Sequence, residues 1–368
     1  PPPPTPPHDR TRRQRQMCIR DRGGPCPKTS VYSDHAYQTA KEDDAQMTAM
    51  GAREWGMLIL LSILWGGSFF FVEVALNSFQ PFALVFLRVA IAATVLTVVV
   101  YISGNRLPSS LTFWFGFVVM GAINNAIPFS LIAWGQTRID SGVASILNAT
   151  APIFTVLLAH FLTRDERLTL NKLCGVGIGF LGVYILFRPQ LENGFSWEGL
   201  GQAAVLAAAI FYSLSGIYGK RFKTLSPIVT STGMLICSSF MMLPLALTAG
   251  LLDFNWAALD SIAAVCGLAT VSTAAAYLLY FRILGLAGAT NVLLVTFLIP
   301  VSAIILGVGI LEEVLALNDL AGMACIFAGL AIIDGRLFRL IRNRINVRGR
   351  QRSLSKTTRP EPGRVIPD

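Results

Sequence analysis

The side chains of this chain that could do chemistry are polar, aromatic and proline residues placed inside long apolar segments. A charge at the centre of a bilayer costs about 2.5–3.5 kcal/mol, so polar groups there usually face a cavity or a partner. We therefore treat these residues as candidates for binding a small molecule. The candidates are Trp65, Asn124, Asn125, Asn148, Pro152, Tyr212, Tyr277, Asn291, Thr296 and Pro300, together with the charged residues Glu73 and Arg88.

Glu73 and Arg88 lie on either side of a short turn, one near the end of an apolar segment and the other about two turns into the next. An ion pair across this turn is the first interpretation. The alternative is that one of the two residues binds a substrate or carries a proton.

The amide candidates lie beside prolines that interrupt helices. Pro128 leaves the carbonyl group of Asn124 without its usual helical hydrogen bond, which predicts either a cavity lining or a plain kink. Two further segments, Asn148–Pro152 and Asn291–Pro300, have the same character, and both interpretations stay open for them. Among the aromatic residues Trp65 and Tyr212 are the stronger candidates, because rings near helix ends commonly belong to interfacial belts.

The composition predicts that membrane-spanning helices position these residues. Charged residues make up 14% of the chain, hydrophobic residues 53%, and the mean hydropathy is +0.58. Soluble domains carry about 25% charged residues, and about 20 apolar residues cross a bilayer as a helix. The predicted spans are 56–76, 82–102, 112–134, 142–162, 172–188, 199–219, 228–250, 257–280, 289–310 and 318–335.

The net charge of +9 follows the positive-inside rule rather than indicating a nucleic-acid partner. With a cytoplasmic N-terminus the outer turns hold only Arg138 and Arg188, and both termini are cytoplasmic. The inner turns then hold eight basic residues, Arg106, Arg164, Arg167, Lys172, Lys220, Arg221, Lys223 and Arg282.

An internal repeat relates the two halves of the chain. Adding 147 to the numbers of residues 166–185 gives nine identities in those twenty positions, among them Glu166 with Glu313 and Gly182 with Gly329. Five spans per half invert the second copy, which predicts two domains, 56–188 and 198–338. In such inverted repeats the substrate site lies near the midplane, at mirrored breaks in the helices.

Two repeated features are assigned to structure. Glu166 and Glu313 precede the next span of each half, where a carboxylate is favoured by the helix dipole, so we expect them to anchor the start of that following helix. Gly175, Gly182 and Gly329 belong to small-residue faces that predict close helix packing.

The two ends of the chain are polar. Residues 1–46, with their proline and arginine runs, predict a disordered tail that need not belong to the natural protein, whose start we expect at Met47 or Met50. Residues 339–368 predict a basic cytoplasmic tail.

The sequence resembles the EamA-type transporters of the drug/metabolite transporter superfamily over residues 55–335. The matching pieces are 64–76, 81–93 and the 142–187 unit with Pro152 and Glu166-Arg167; the second unit lacks the arginine after its glutamate. The resemblance implies an all-α membrane protein with ten transmembrane helices, formed by two inverted five-helix EamA repeats around a central cavity. It also implies transport of small metabolites, frequently the export of amino acids or related compounds, across the inner (cytoplasmic) membrane of a bacterium.

The first functional expectation is therefore a secondary transporter that works by alternating access, with a small-molecule substrate and the lipid bilayer as its partners. No phosphate-binding loop is present to couple ATP, and no cysteine or histidine pattern indicates a metal or cofactor. The alternatives are a membrane-embedded enzyme, for which no catalytic cluster is visible, and a receptor or scaffold. Substrate, direction, proton coupling and oligomeric state, including a homodimer, are left open.

Overall fold

Ten helices make up most of the part of the chain that the structure describes. The computed structural model describes residues 50–163, 168–192, 196–251 and 258–335, which contain helices and turns but no strand. The predicted tails, 1–46 and 339–368, lie outside the described residues. The helices are α1 (Ala52–Leu76), α2 (Pro81–Ile102), α3 (Leu111–Gln136), α4 (Ser141–Leu162), α5 (Leu170–Glu192), α6 (Trp197–Phe222), α7 (Pro227–Thr248), α8 (Leu259–Ala287), α9 (Ala289–Val292 and Val295–Ile310) and α10 (Leu317–Asp334).

Within the described ranges nine of these helices are long and apolar enough to cross a membrane, and the tenth is the shorter apolar helix Val295–Ile310. Prolines begin α2 and α7, where their missing N–H costs no helical bond. Helix α8 extends to Ala287, seven residues beyond the predicted end at 280. The prediction stopped too early because Arg282 suggested a turn, whereas the first helix-breaking residue is Gly288, with a φ of +78°.

The third helix of each half contains a π-helical segment near its middle. In α3 it covers Ala122–Ala126, and the N–H of Ile127 donates to the carbonyl oxygen of Ala122, five residues back. In α8 it covers Thr270–Ala275. The fourth helix of each half is broken instead. α4 is interrupted after Asn148, and α9 after Val292. Irregular backbone occurs at membrane depth only where protein or a cavity can satisfy it.

The helix contacts follow the repeat. α5 packs along α10 and α2 along α7, so each of these helices contacts its own repeat partner. α1 packs against α8 and α9, and in the same way α6 packs against α3 and α4. Exchanging the two halves therefore reproduces the contacts. The fold is a bundle of ten helices formed by two inverted five-helix repeats.

The predicted glycine faces meet between α5 and α10. A Cβ added to Gly182 would lie 2.6 Å from the carbonyl oxygen of Gly322, and one added to Gly175 would lie 2.7 Å from that of Gly329. The offset of 147 converts each of these contacts into the other. Lipid gives apolar helices no hydrophobic reason to associate, so this close approach of backbones is what holds the two helices together.

Candidate functional site

A cavity of about 690 Å³ lies between the two halves and receives side chains from every helix except α5 and α10. One end reaches the α6–α7 turn, where Lys223 and Pro227 are exposed. The other end stops at Val72, Ile132 and Gln136, all of which are buried. The cavity is therefore open at the side of the α6–α7 turn, called the open side below, and closed at the side of the α3–α4 turn, called the closed side.

A hydrogen-bonded cluster around the π-helical segment of α3 crosses the middle of the cavity. The Nδ2 atom of Asn124 donates to the hydroxyl group of Tyr277 at 3.0 Å, and its Oδ1 atom accepts from the Ser215 hydroxyl group at 2.8 Å. Asn125 is fully buried beside the cavity, where its amide donates to Ser238 at 3.3 Å. The extra residue in the π-helical turn lets both adjacent amides point into the bundle, so α3 is linked to α6, α7 and α8.

Arg88 lies deep in the cavity wall, with 7% of its surface exposed. Its Nε atom donates to the Thr273 hydroxyl group at 3.0 Å, and its Cζ atom lies 3.6 Å from the centroid of the Phe129 ring. Thr273 belongs to the π-helical segment of α8. The guanidinium group is thus held between an aromatic face on α3 and a hydroxyl group on α8.

Glu73 and Arg88 do not form the expected ion pair. Glu73 accepts a hydrogen bond of 3.0 Å from the Nε2 atom of Gln136, which also donates to the carbonyl oxygen of Phe69 at 2.9 Å. Arg88 instead bonds to Thr273. The two residues lie across one turn, but α1 presents Glu73 to the end of α3, whereas α2 presents Arg88 to α8.

Aromatic rings form much of the remaining wall. Trp65 packs against Tyr280 with their centroids 5.5 Å apart, and Tyr212 packs edge-on to Phe129 at 6.5 Å. Asn148 and Thr296 also line the cavity, and the Oδ1 atom of Asn148 has no hydrogen-bond partner among the described residues. The structure thus brings seven candidates to one cavity: Trp65, Arg88, Asn124, Asn148, Tyr212, Tyr277 and Thr296.

The other candidates lie outside the lining. Pro152 begins the second half of α4, and Pro300 is buried within α9. Asn291 is buried as well and donates to the carbonyl oxygen of Ala287 at 2.8 Å. Sequence reasoning did not select several polar lining residues, among them Gln136, Ser272 and Ser231. Single hydroxyl groups and a glutamine at a helix end give little sequence signal, because such groups commonly bond to their own helix.

Glu313 fastens the closed side. Its Oε1 atom accepts from the backbone N–H of Ser141 at 2.9 Å, and its Oε2 atom accepts from that of Gly142 at 3.0 Å. These are free amides at the start of α4, so a carboxylate is well placed to accept from them. The expectation that Glu313 anchors the helix after it was wrong, because it binds a helix of the other repeat. Asp319 bonds the start of α10 instead, accepting from the N–H of Ala316 at 2.9 Å.

The backbone before Glu313 explains this direction. Glu312 has a φ of 58° and follows the end of α9, and the N–H of Glu313 returns to the carbonyl oxygen of Gly307 at 3.1 Å. This left-handed residue turns the chain back toward α4. Glu166, the repeat partner of Glu313, lies outside the described residues.

Asp140 lies in the α3–α4 turn beside this contact. Desolvation, followed by the negative charges of Glu313, Asp319 and Glu198, raises the pKa of Asp140 above its ordinary range. The nearby Arg138 directs its guanidinium group over the Trp197 ring at 4.9 Å. The closed side therefore gathers several carboxylates around one helix start.

The fold and the cavity define a multi-pass membrane protein of the inverted-repeat transporter class. The model of the EamA-like transporter family matches residues 54–188 and 199–334. The chain belongs to the EamA-like transporter family, as its resemblance implied.

Individual relatives agree with this assignment. An uncharacterized transporter of Archaeoglobus fulgidus is 27% identical over 76% of this chain and 98% of its own length. A probable amino-acid metabolite efflux pump of Salmonella typhimurium is 26% identical over 77% of this chain and 95% of its own. An inner membrane transporter of Escherichia coli, YedA, is 23% identical over 77% and 91%. A solved crystal structure with 20% identity shares the fold, with a TM-score of 0.54 over 75% of this chain and 95% of the other.

Proposed function

We propose that the protein is a secondary transporter that exports small metabolites, amino acids or related compounds, across the cytoplasmic membrane by alternating access. The observation that carries the proposal is the cavity between the two inverted repeats, open at one side and closed at the other. A cavity that reaches only one side is what one state of an alternating-access cycle requires. The Salmonella typhimurium relative, a probable amino-acid metabolite efflux pump, supports the substrate class.

The proposed orientation places both termini and the open side in the cytoplasm. Lys220, Arg221 and Lys223 support it, because they cluster at the end of α6 and in the α6–α7 turn, where the positive-inside rule expects them. A cavity open to the cytoplasm is the state in which an exporter loads its substrate. Glu313 then holds the exit closed.

The substrate is proposed to bind between the aromatic walls of Trp65, Tyr212 and Tyr277 and the amides of Asn124 and Asn148. These groups come from both repeats and lie around the π-helical segment of α3 and the break in α4. A rocking motion of one repeat against the other would expose the same groups to either side.

The test is a comparison of metabolites inside and outside cells that lack or overproduce the protein. The expected result is that one compound or a small group accumulates outside the overproducing cells. Asn148→Ala should reduce this export, because the amide lines the cavity. Asn291→Ala is the matched control, because that amide bonds to the end of α8 and lies outside the lining. No change in any metabolite, with the protein present in the membrane, would refute transport.

A further inference from the structure

The charged side chains that line the cavity are all basic. Among the lining residues in the described part of the chain, Arg88 and Lys223 carry a charge and none is acidic. Lys223 is exposed at the open side. Arg88 is the buried charge of the cavity, with 7% of its surface exposed.

The positive charge of Arg88 is not neutralised within the described structure. Its Nε atom uses one of the five N–H donors of the guanidinium group on Thr273, which is itself neutral. No described carboxylate lies within salt-bridge distance of it, and the nearest acidic residue along the chain, Glu73, is bonded to Gln136. A buried arginine without a counter-charge is costly, so a residue placed this way is suited to a ligand that brings the charge.

A second polar group among the lining residues also lacks a partner. Ser272 lines the cavity, is 1% exposed, and its hydroxyl group makes no hydrogen bond with any described residue. It precedes Thr273, the residue that holds Arg88, in the π-helical segment of α8. The segment therefore holds the guanidinium group with one hydroxyl and carries a second, unpartnered hydroxyl on the adjacent residue, which is also among the lining residues.

We propose that Arg88 and Ser272 form an anion subsite that takes a carboxylate group of the transported metabolite, an inference that rests on the proposed transport function. The terminal N–H groups of arginine match the two oxygen atoms of a carboxylate and bind them in parallel. One buried cation balances a single negative charge. A dianion such as a phosphate ester would need a second buried cation, and Lys223, the other lining cation, lies in water at the open side.

The experiment measures binding of 3-phenylpropanoate and of its primary amide, 3-phenylpropanamide, to the purified full-length protein by the quenching of tryptophan fluorescence. The two probes have nearly the same shape and differ in charge, and their ring suits the aromatic wall. The wild type should bind the acid about tenfold more tightly than the amide, the range expected for a charge-assisted bond to arginine.

Three variants locate the preference. Arg88→Gln should bind acid and amide equally, whereas Arg88→Lys keeps the charge without the planar fork and should retain part of the preference. Ser272→Ala, which leaves Arg88 in place, should weaken the acid severalfold and the amide little, and it decides the matter if the Arg88 variants do not fold. Lys223→Gln, the control for a general charge effect, should behave like the wild type.

Equal binding of acid and amide by the wild type, or binding of neither, overturns the subsite. A preference that survives in Arg88→Gln or disappears in Lys223→Gln overturns it as well. The metabolite comparison keeps this result separate from the transport proposal. Export of compounds without a carboxylate leaves transport standing and refutes the subsite, whereas acid binding without any export leaves the subsite and refutes transport.

Discussion

The two ends of the cavity differ in how closely their helices approach, and α6 shows the difference within one helix. Near the closed side, a Cβ added to Gly201 would lie 2.8 Å from the Cβ of Arg138 and 3.0 Å from the carbonyl oxygen of Gly135. Near the open side, Gly216 lines the cavity and an added Cβ would meet nothing within 4 Å. The same residue type therefore joins two backbones at one end of α6 and leaves space at the other.

Polar contacts follow the same division. The closed side is fastened across the repeats by Glu313, which binds the start of α4, and within the first repeat by the hydrogen bond from Gln136 to Glu73. At the open side, lining residues such as Lys223 and Leu225 belong to the α6–α7 turn. The closely packed closed side should therefore contribute more to the stability of the fold than the open side does.

The largest effect is expected for leucine substitutions at the two glycines of α6. Gly201→Leu should destabilise the fold by about 1–3 kcal/mol, because the side chain must displace the α3 backbone. Gly216→Leu should change stability by less than about 1 kcal/mol but reduce transport by filling the cavity. Thermal unfolding in detergent and the export assay separate the two. The gain in helix propensity on replacing glycine by leucine is common to both variants, so it cancels in the comparison. Equal melting temperatures would contradict the difference in packing between the two ends of α6.

Glu313→Ala should have an effect of comparable size. It removes two charge-assisted hydrogen bonds to α4 and should destabilise the closed side by about 1.5–3 kcal/mol. The measurement is the rate at which a maleimide labels Ser141→Cys, a buried position, in a cysteine-free background; labelling should accelerate in the Glu313→Ala protein.

The control for this variant is Glu192→Ala. Glu192 pairs with Arg188 at 2.7 Å, but their side chains are 58% and 59% exposed, so water and salt screen the pair and it should contribute little to stability. If both variants label Ser141→Cys at the same rate, Glu313 does not fasten the closed side.

A smaller effect is expected at Asp140, and it depends on pH. Because its pKa is raised in the folded protein, the native state holds this proton more tightly than the unfolded state does. Its contribution to stability is therefore lost as the pH rises from the unfolded pKa through the raised folded pKa. Asp140→Asn should flatten this part of the stability profile and raise the melting temperature at neutral pH. A melting temperature that falls at neutral pH would mean that the carboxylate stabilises the turn.

The smallest effect is expected at Glu312. A left-handed backbone costs a residue with a Cβ about 1–2 kcal/mol, so Glu312→Gly should stabilise the α9–α10 turn by about 1 kcal/mol. Glu312→Ala removes the same charge but keeps the Cβ, and it should give no gain. A gain in both variants would assign the effect to charge rather than to backbone strain.

The fold could be predicted from the sequence because the lengths of the apolar runs indicate the helices and the 147-residue offset indicates the repeat. The ten spans follow from runs that a bilayer requires, and the glycine faces of α5 and α10 follow from spacing on one helix side. The end of α8 was missed because Arg282 interrupts an apolar run without breaking the helix. Gly288, which does break it, is one of 32 glycines in the chain and carries no distinctive signal.

The site was only partly accessible. Asn124 and Asn148 were found because an amide in an apolar span needs a partner. The partners themselves depend on which helices become neighbours, so the bonds of Glu73 to Gln136 and of Arg88 to Thr273 could not be read from the chain. The π-helical segment of α8 could not be predicted either. Helix α8 contains no proline, whereas Pro128 marks an irregularity in α3.

The π-helical segment of α3 has a mechanical consequence. One extra residue in a turn rotates everything beyond it by about 100° around the helix axis. The part of α3 before the segment, Leu111–Gly121, packs against α7, and the part after it, Ile127–Gln136, packs against α6. The segment therefore lets the two parts of a single transmembrane helix present different faces to their neighbours. The corresponding segment of α8 introduces a rotation of the same kind in the second repeat, so each repeat has one such change of helix face.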